Sequence, residues 1–143
     1  MLVDFLAMVI VVELAAVAAL HVYWAFGGLW PGTDVESLVR TVVGVKDMQA
    51  MPSRPLTLAV AAALVAAGLP PLVKASLLPA FLPPGLVQAC LLLVGAVFAL
   101  RGVAPYLPLG KKHPVEPFAT LDRRLYGPFC LATALEYAAL WAS

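Results

Sequence analysis

The sequence predicts an all-α integral membrane protein, a four-helix bundle with a short amphipathic interfacial helix in its first loop. Hydrophobic residues make up 63% of the 143 residues and charged residues 12%, against roughly 45–50% and about 25% in soluble domains. The mean hydropathy is +0.97. Four apolar stretches are each about as long as the ~20 residues with which a helix crosses a bilayer.

The apolar stretches define the expected spans of a single transmembrane domain. They cover residues 2–26, 56–78, 85–106 and 121–141 of the chain 1–143. The first stretch lies at the N-terminus, where a secretion signal could stand. It has no basic start, carries Asp4 and is longer than a signal's apolar core, so we expect a retained helix.

The first loop contains a short helical pattern. Thr33 followed by Glu36 fits a capping box, and Gly44 suits the C-terminal stop. One helical face between them is apolar and comprises Val35, Leu38, Val39 and Val42. A helix lying on the membrane surface and a helix packed onto the bundle both explain this pattern.

Proline residues interrupt the second stretch. The 14 residues from Leu56 to Leu69 would form only ~21 Å of helix, which is short for a bilayer. Pro70 and Pro71 lack backbone N–H groups, so we expect a kinked span that continues to Leu78. A short helix followed by an irregular segment is the alternative.

The last stretch has its own start and bend signals. Thr120 is the expected N-cap, and Asp122 in the first turn is favoured by the helix dipole. Pro128, about two turns further on, predicts a bend.

Basic residues indicate the orientation of the spans. The loops after the first and third spans are rich in lysine and arginine, whereas the opposite side has only Lys74. The positive-inside rule therefore places those two loops in the cytoplasm and both termini outside. The basic residues of the two loops are Arg40, Lys46, Arg54, Lys111, Lys112, Arg123 and Arg124.

Two carboxyl groups are expected near the middle of the membrane. Counted at ~1.5 Å per residue from the cytoplasmic ends, Glu13 lies ~20 Å deep and Glu136 ~18 Å deep. If the two residues face each other, they would share a proton or bind a cation, because two adjacent charges could not both persist. Otherwise they are two protonated or hydrogen-bonded acids with separate partners.

A second set of polar residues lies nearer the cytoplasmic ends of the spans. Arg101 at this depth requires a carboxylate, a helix C-terminus or an anionic ligand, and Asp122 is the nearest candidate. An interhelical ion-pair network, a head-group pocket, and an arginine that reaches the surface are the three interpretations. We call this set the polar layer: His21, Trp24, Arg101, Asp122, Arg124 and Tyr126.

Several function classes lack support. A net charge of +1 gives no electrostatic case for nucleic-acid binding. Two histidines, one flanked by lysines, make a metal site poorly supported, and we expect no cofactor. The sequence has no motif of the common hydrolases, nucleotide-binding proteins or zinc sites.

Two motifs carry a family resemblance. One is His21-Val22-Tyr23-Trp24-Ala25-Phe26-Gly27-Gly28, the other runs from Phe118 to Cys130, and Arg101-Gly102 lies between them. Over nearly its whole length the chain resembles the small bacterial membrane proteins of Domain of Unknown Function 3995. It departs from that pattern at Gly127, where a serine is expected before the proline, and at Pro105-Tyr106.

The resemblance implies a four-span protein of the bacterial inner membrane and no assigned activity. The family's recurrent residues map onto the polar layer. We therefore expect a pocket on the cytoplasmic side that binds, or acts on, a lipid-like or isoprenoid-like amphiphile. In it Arg101 and Arg124 would hold an anionic head group and His21 would exchange a proton.

Two other functions compete with amphiphile binding. The first is proton or ion translocation through Glu13 and Glu136. The second is a non-catalytic accessory subunit, whose alanine- and glycine-rich helices allow close contact with other helices. Membrane lipids are the expected partners, together with further copies of the chain or a larger membrane complex. Whether the protein is an enzyme stays open.

Overall fold

The computed structural model describes residues 1–45, 50–107 and 115–143, and every regular element in these ranges is helical. The all-α prediction is therefore confirmed for the described residues. Three of the basic residues used for the orientation, Lys46, Lys111 and Lys112, lie outside these ranges.

The first half of the chain contains two long helices and two short ones. They are α1 (Leu2–Ala25), α2 (Val35–Val42), α3 (Arg54–Ala67) and α4 (Leu69–Lys74). Their bounds differ from the predicted spans most clearly after Pro70-Pro71. The helix ends at Lys74 and not at Leu78, because the chain turns at Ser76, which has a φ of 57°.

The second half contains one uninterrupted long helix and one composite run. The elements are α5 (Pro84–Val103), a 3₁₀ turn (Ala104–Tyr106), α6 (Phe118–Leu121), a π-helical turn (Asp122–Tyr126) and α7 (Gly127–Ala142). Thr120 is not the N-cap that the sequence predicts, since the run begins at Phe118. The backbone N–H of Thr120 instead donates to Oε2 of Glu116.

Among the described residues, three helical runs are long and apolar enough to cross a membrane. They are Leu2–Ala25, Arg54–Lys74 and Pro84–Tyr106. These runs correspond to the first three expected spans. The composite run of residues 118–142, which corresponds to the fourth, is not among them.

The N-terminus of α2 has a capping box one residue later than expected. Asp34, not Thr33, is the N-cap: its Oδ1 accepts from the N–H of Ser37 at 2.8 Å, and Oγ of Ser37 accepts from the N–H of Asp34 at 3.1 Å. Leu38 and Val39 are fully buried. The apolar face of α2 therefore packs onto the rest of the protein.

Two contacts fix the antiparallel register of α1 and α3. The Nε atom of Arg54 donates to the carbonyl of Ala25 at 3.0 Å, at one end of the pair. At the other end, a Cβ atom built on Gly68 would lie 3.6 Å from Cγ2 of Val11. This register places Glu13 level with the end of α3.

Glycines let α5 and α7 approach closely. A Cβ on Gly95 would lie 3.0 Å from Cβ of Tyr137, and a Cβ on Gly102 would lie 2.7 Å from Cγ of Leu131. α1 contacts α3, α4 and α7, while α5 contacts α7 and α4. The main core lies where α1, α5 and α7 meet and comprises Ala7, Ile10, Leu14, Val87, Leu91, Tyr137 and Leu140.

Candidate functional site

The polar layer contains one short ion pair. An Nη atom of Arg101, in the last turn of α5, donates to Oδ1 of Asp122 at 2.6 Å. The Asp122 side chain is 11% exposed and that of Arg101 is 41% exposed. The partner that the sequence analysis named for Arg101 is thus in place, and the pair joins α5 to the π-helical turn.

The π-helical turn results from Pro128. The N–H of Gly127 donates to the carbonyl of Asp122 five residues earlier, which defines the π turn. Pro128 has no N–H for the carbonyl of Arg123, and the hydroxyl of Tyr106 donates to it instead at 2.6 Å. The expected disturbance at Pro128 is therefore a π turn whose free carbonyl is bound by a tyrosine.

His21 and Trp24 form a second, local group. Nδ1 of His21 lies 2.8 Å from the carbonyl of Val17 in the same helix, and the His21 and Trp24 rings meet edge to face at 5.2 Å. Nε1 of Trp24 donates to the carbonyl of Trp30 at 2.7 Å. These contacts hold the turn that follows α1.

Tyr126 belongs to a third group. Its hydroxyl donates to the carbonyl of Thr41 in α2 at 3.2 Å, and its ring contacts that of Phe118 at 5.8 Å. Arg124, two residues earlier, is exposed. Within the described parts of the chain, no hydrogen bond or ion pair links the groups of Arg101, His21 and Tyr126. The pocket expected from the sequence stays a prediction.

The two glutamates predicted at mid-depth lie near each other, Glu13 on α1 and Glu136 on α7. Oε2 of Glu13 accepts from the hydroxyl of Thr133 at 3.1 Å. Oε2 of Glu136 is buried without a hydrogen-bond partner. The pair and Thr133 form a cluster between α1 and α7, which we call the carboxyl cluster.

Two residues of this region were missed by the sequence analysis. Thr133 and Tyr137 are both fully buried on α7. Thr133 lies one helical turn before Glu136, and that spacing could have identified it. The hydroxyl of Tyr137 donates to the carbonyl of Ala67 at 2.7 Å. The prolines that follow Ala67 signal a free carbonyl, although the sequence does not say which donor reaches it.

A separate groove runs along the outside of α5 and α7. It has a volume of about 560 Å³ and an apolar lining that includes Leu92, Gly95, Ala99, Leu135 and Trp141. No residue of the polar layer or of the carboxyl cluster lines it.

Comparison with known proteins identifies a family without an assigned activity. No curated protein and no solved structure matches the chain. The family described as "Protein of unknown function (DUF3995)" matches residues 14–137, which include the polar layer and Glu136 and begin one residue after Glu13. Because the match covers most of the chain, the resemblance noted from the motifs is confirmed, and the chain belongs to this family.

Proposed function

We propose that the protein is an integral four-helix bundle of the bacterial inner membrane, with both termini outside, and that its carboxyl cluster moves protons between the two sides. Three helices that are long and apolar enough to cross a membrane support the first part. The composite run of residues 118–142 would be the fourth span, and its apolar exposed face would contact lipid.

The observation that carries the proposal is a buried carboxyl oxygen of Glu136 that has no hydrogen-bond partner. Glu13 of α1 lies nearby, since its Oε2 is 3.1 Å from the hydroxyl of Thr133, one helical turn before Glu136. Buried polar groups without a partner are uncommon in native proteins and call for an explanation. A proton shared with Glu13 would give this oxygen a partner.

The surroundings of the pair favour a single shared proton. Two neighbouring carboxylates in a medium of low dielectric constant cannot both stay ionised. The hydroxyl of Thr133 lies 3.1 Å from Oε2 of Glu13 and 3.1 Å from the carbonyl of Phe129 in its own helix, and its one proton serves one of them at a time. Glu136, whose Oε2 has no partner, would carry the shared proton and release it when the site opens to water.

Proton flux in proteoliposomes tests the proposal. We expect Glu13→Gln and Glu136→Gln to abolish the flux that the wild-type protein supports, because glutamine cannot exchange a proton. Glu36→Gln is the matched control, since Glu36 is exposed on α2 and far from the cluster in sequence. Equal flux in the wild-type protein and Glu13→Gln would contradict the proposal.

Binding of a lipid-like or isoprenoid-like amphiphile is a second candidate. The exposed guanidinium of Arg124 and the apolar groove between α5 and α7 support it. The ion pair of Arg101 with Asp122 weakens it, because that arginine already has an anionic partner. Mass spectrometry of lipids that co-purify tests this candidate: Arg124→Ala should change their profile, and an unchanged profile would dismiss it.

The groove also supports the third candidate, a non-catalytic accessory subunit. Gly95, Ala96 and Ala99 line it and leave room for a helix of another protein. Extraction in mild detergent distinguishes this candidate, since only an accessory subunit should migrate with a partner chain.

A further inference from the structure

The break between α3 and α4 lies at the level of the carboxyl cluster. The register of α1 and α3 places Glu13 level with the last turn of α3, and the break follows at Gly68. Gly68, Pro70 and Pro71 are buried. Gly68 keeps helical torsion angles, with φ −70° and ψ −16°, so the break consists of missing hydrogen bonds. Backbone polar groups at membrane depth need partners inside the protein.

Pro71 creates one polar group that needs such a partner. In a continuous helix the N–H of residue 71 would donate to the carbonyl of Ala67, but proline has no N–H. The hydroxyl of Tyr137 takes its place at 2.7 Å. A side chain of α7 thus completes the hydrogen bonding of the α3–α4 break.

The Tyr137 ring is held in position by its neighbours. The side chain is fully buried, and its ring stacks on that of Phe98 with 6.1 Å between centroids and 16° between planes. Gly95 allows the backbones of α5 and α7 to approach at the same level. The hydroxyl is therefore fixed by packing, while the partner carbonyl lies at a helix break.

Tyr137 directly follows Glu136 in α7. The same turn of helix thus contacts α1 through the carboxyl pair and the α3–α4 break through the hydroxyl. A change in the charge of the carboxyl pair would shift α7 relative to α1. This shift would alter both contacts.

We propose that α4 is a gate over the carboxyl cluster, that the α3–α4 break is its hinge, and that the hydrogen bond from Tyr137 to Ala67 is its latch. The role as a gate rests on the proposed proton site, whereas the hinge and the latch do not. Opening of the latch would swing α4 away from α1 and α7, which it contacts, and admit water to the carboxyl pair.

Hydrogen exchange of the full-length protein in lipid nanodiscs tests the latch. Tyr137→Phe removes only the hydroxyl, so the amides of Leu69, Leu72 and Val73 should exchange about three- to tenfold faster. Tyr106→Phe is the matched control, because its hydroxyl binds the carbonyl of Arg123 in a different part of the structure. It should leave the α4 amides unchanged.

A rescue variant separates loss of the latch from general loosening. Pro71→Ala restores a backbone N–H that can donate to Ala67, so Tyr137→Phe combined with Pro71→Ala should return exchange in α4 to the wild-type rate. Unchanged exchange in Tyr137→Phe would overturn the latch. Fast exchange that Pro71→Ala does not reverse would overturn it too.

Proton flux through the same variants tests the gate. Tyr137→Phe should raise the proton flux about three- to tenfold, as it raises the exchange rate, and the double variant should return the flux to the wild-type level. An unchanged flux beside faster exchange would overturn the gate but not the latch. If Glu13→Gln also leaves flux unchanged, the proton site itself has failed, and the exchange result still decides whether the latch exists.

Discussion

The guanidinium of Arg101 and the carboxylate of Asp122 form a 2.6 Å ion pair between the end of α5 and the π-helical turn. The carboxylate is almost wholly buried, whereas the guanidinium is partly open to its surroundings. The pair therefore connects two helical runs at the end of the protein where α2 also packs. Its geometry fits a structural connection and leaves Arg101 little freedom to bind an anion.

We expect the Arg101–Asp122 pair to contribute to stability by coupling the two residues. Arg101→Ala should lower the free energy of unfolding by about 1.5–3 kcal/mol, because it leaves the buried carboxylate of Asp122 without its charged donor. The double variant with Asp122→Ala should lose less than the sum of the two single variants. Equilibrium unfolding in detergent micelles measures this, and strictly additive losses would contradict the coupling.

Close contact at Gly127 gives a second prediction. A Cβ atom there would lie 2.8 Å from the carbonyl oxygen of Asp122 and 3.1 Å from that of Gly102. Because both neighbours are backbone atoms, Gly127→Ala should lower the free energy of unfolding by about 1–3 kcal/mol. Gly85→Ala is the control, since nothing lies within 4 Å of its added Cβ. The thermal unfolding midpoint of Gly127→Ala should be clearly lower than that of Gly85→Ala. Similar midpoints for the two variants would contradict the tight contact.

Thr133 gives a third prediction. Its buried hydroxyl lies 3.1 Å from both Oε2 of Glu13 and the carbonyl of Phe129 in its own helix, so Thr133→Val, which keeps the shape, should lower the free energy of unfolding by about 1–2 kcal/mol. Thr41→Val is the matched control, because the hydroxyl of Thr41 bonds only to the carbonyl of Ser37 in its own helix. It should stay within about 0.5 kcal/mol of wild type. Equal effects of the two changes in chemical unfolding would contradict a specific role of Thr133.

Asp34 makes the stability of α2 depend on pH. Hydrogen bonds from the backbone and side chain of Ser37 lower the pKa of the Asp34 carboxyl. A group whose pKa is lowered by folding stabilises the folded form above the ordinary aspartate pKa. That stabilisation is lost as the pH falls through the lowered value. The protection of the Leu38 amide against hydrogen exchange, relative to the unfolded chain at the same pH, should therefore fall in acid.

Two variants check the role of Asp34. In Asp34→Asn the side chain still accepts a hydrogen bond but does not titrate, so the protection of the Leu38 amide should lose this acid dependence. In Asp34→Ala the protection should be low at every pH. An acid dependence that persists in Asp34→Asn would show that another group causes it.

The sequence predicts helices better than it predicts their ends. Composition alone identifies α1 and α5, because long apolar runs have few other structures open to them. The start of α2 was wrong by one residue, since Thr33 and Asp34 are both good N-caps. The choice depends on whether Ser37 or Glu36 returns the hydrogen bond, and only the folded backbone decides that.

The candidate site could likewise be predicted from the sequence only in part. Counting residues gives depth along a helix, which is why Glu13 and Glu136 were placed at one level. It does not give the rotation of one helix against another, so their contact could not be predicted from the sequence. Tyr137 was missed for a related reason: its partner is a backbone carbonyl 70 residues away, and the prolines that free this carbonyl do not show which donor reaches it.

Arg54 combines two tasks in one side chain. Its Nε atom binds a terminal carbonyl of α1, and its guanidinium lies 5.5 Å from the centre of the Phe26 ring, while the residue itself begins α3. An arginine in the first loop is also a signal that decides which way a nascent hairpin enters the membrane. If the α1–α3 hairpin inserted in the reverse orientation, the arginine that joins its two helices would have to cross the membrane. In the proposed membrane arrangement, the same cation therefore takes part in both the orientation of α1 and α3 and their packing.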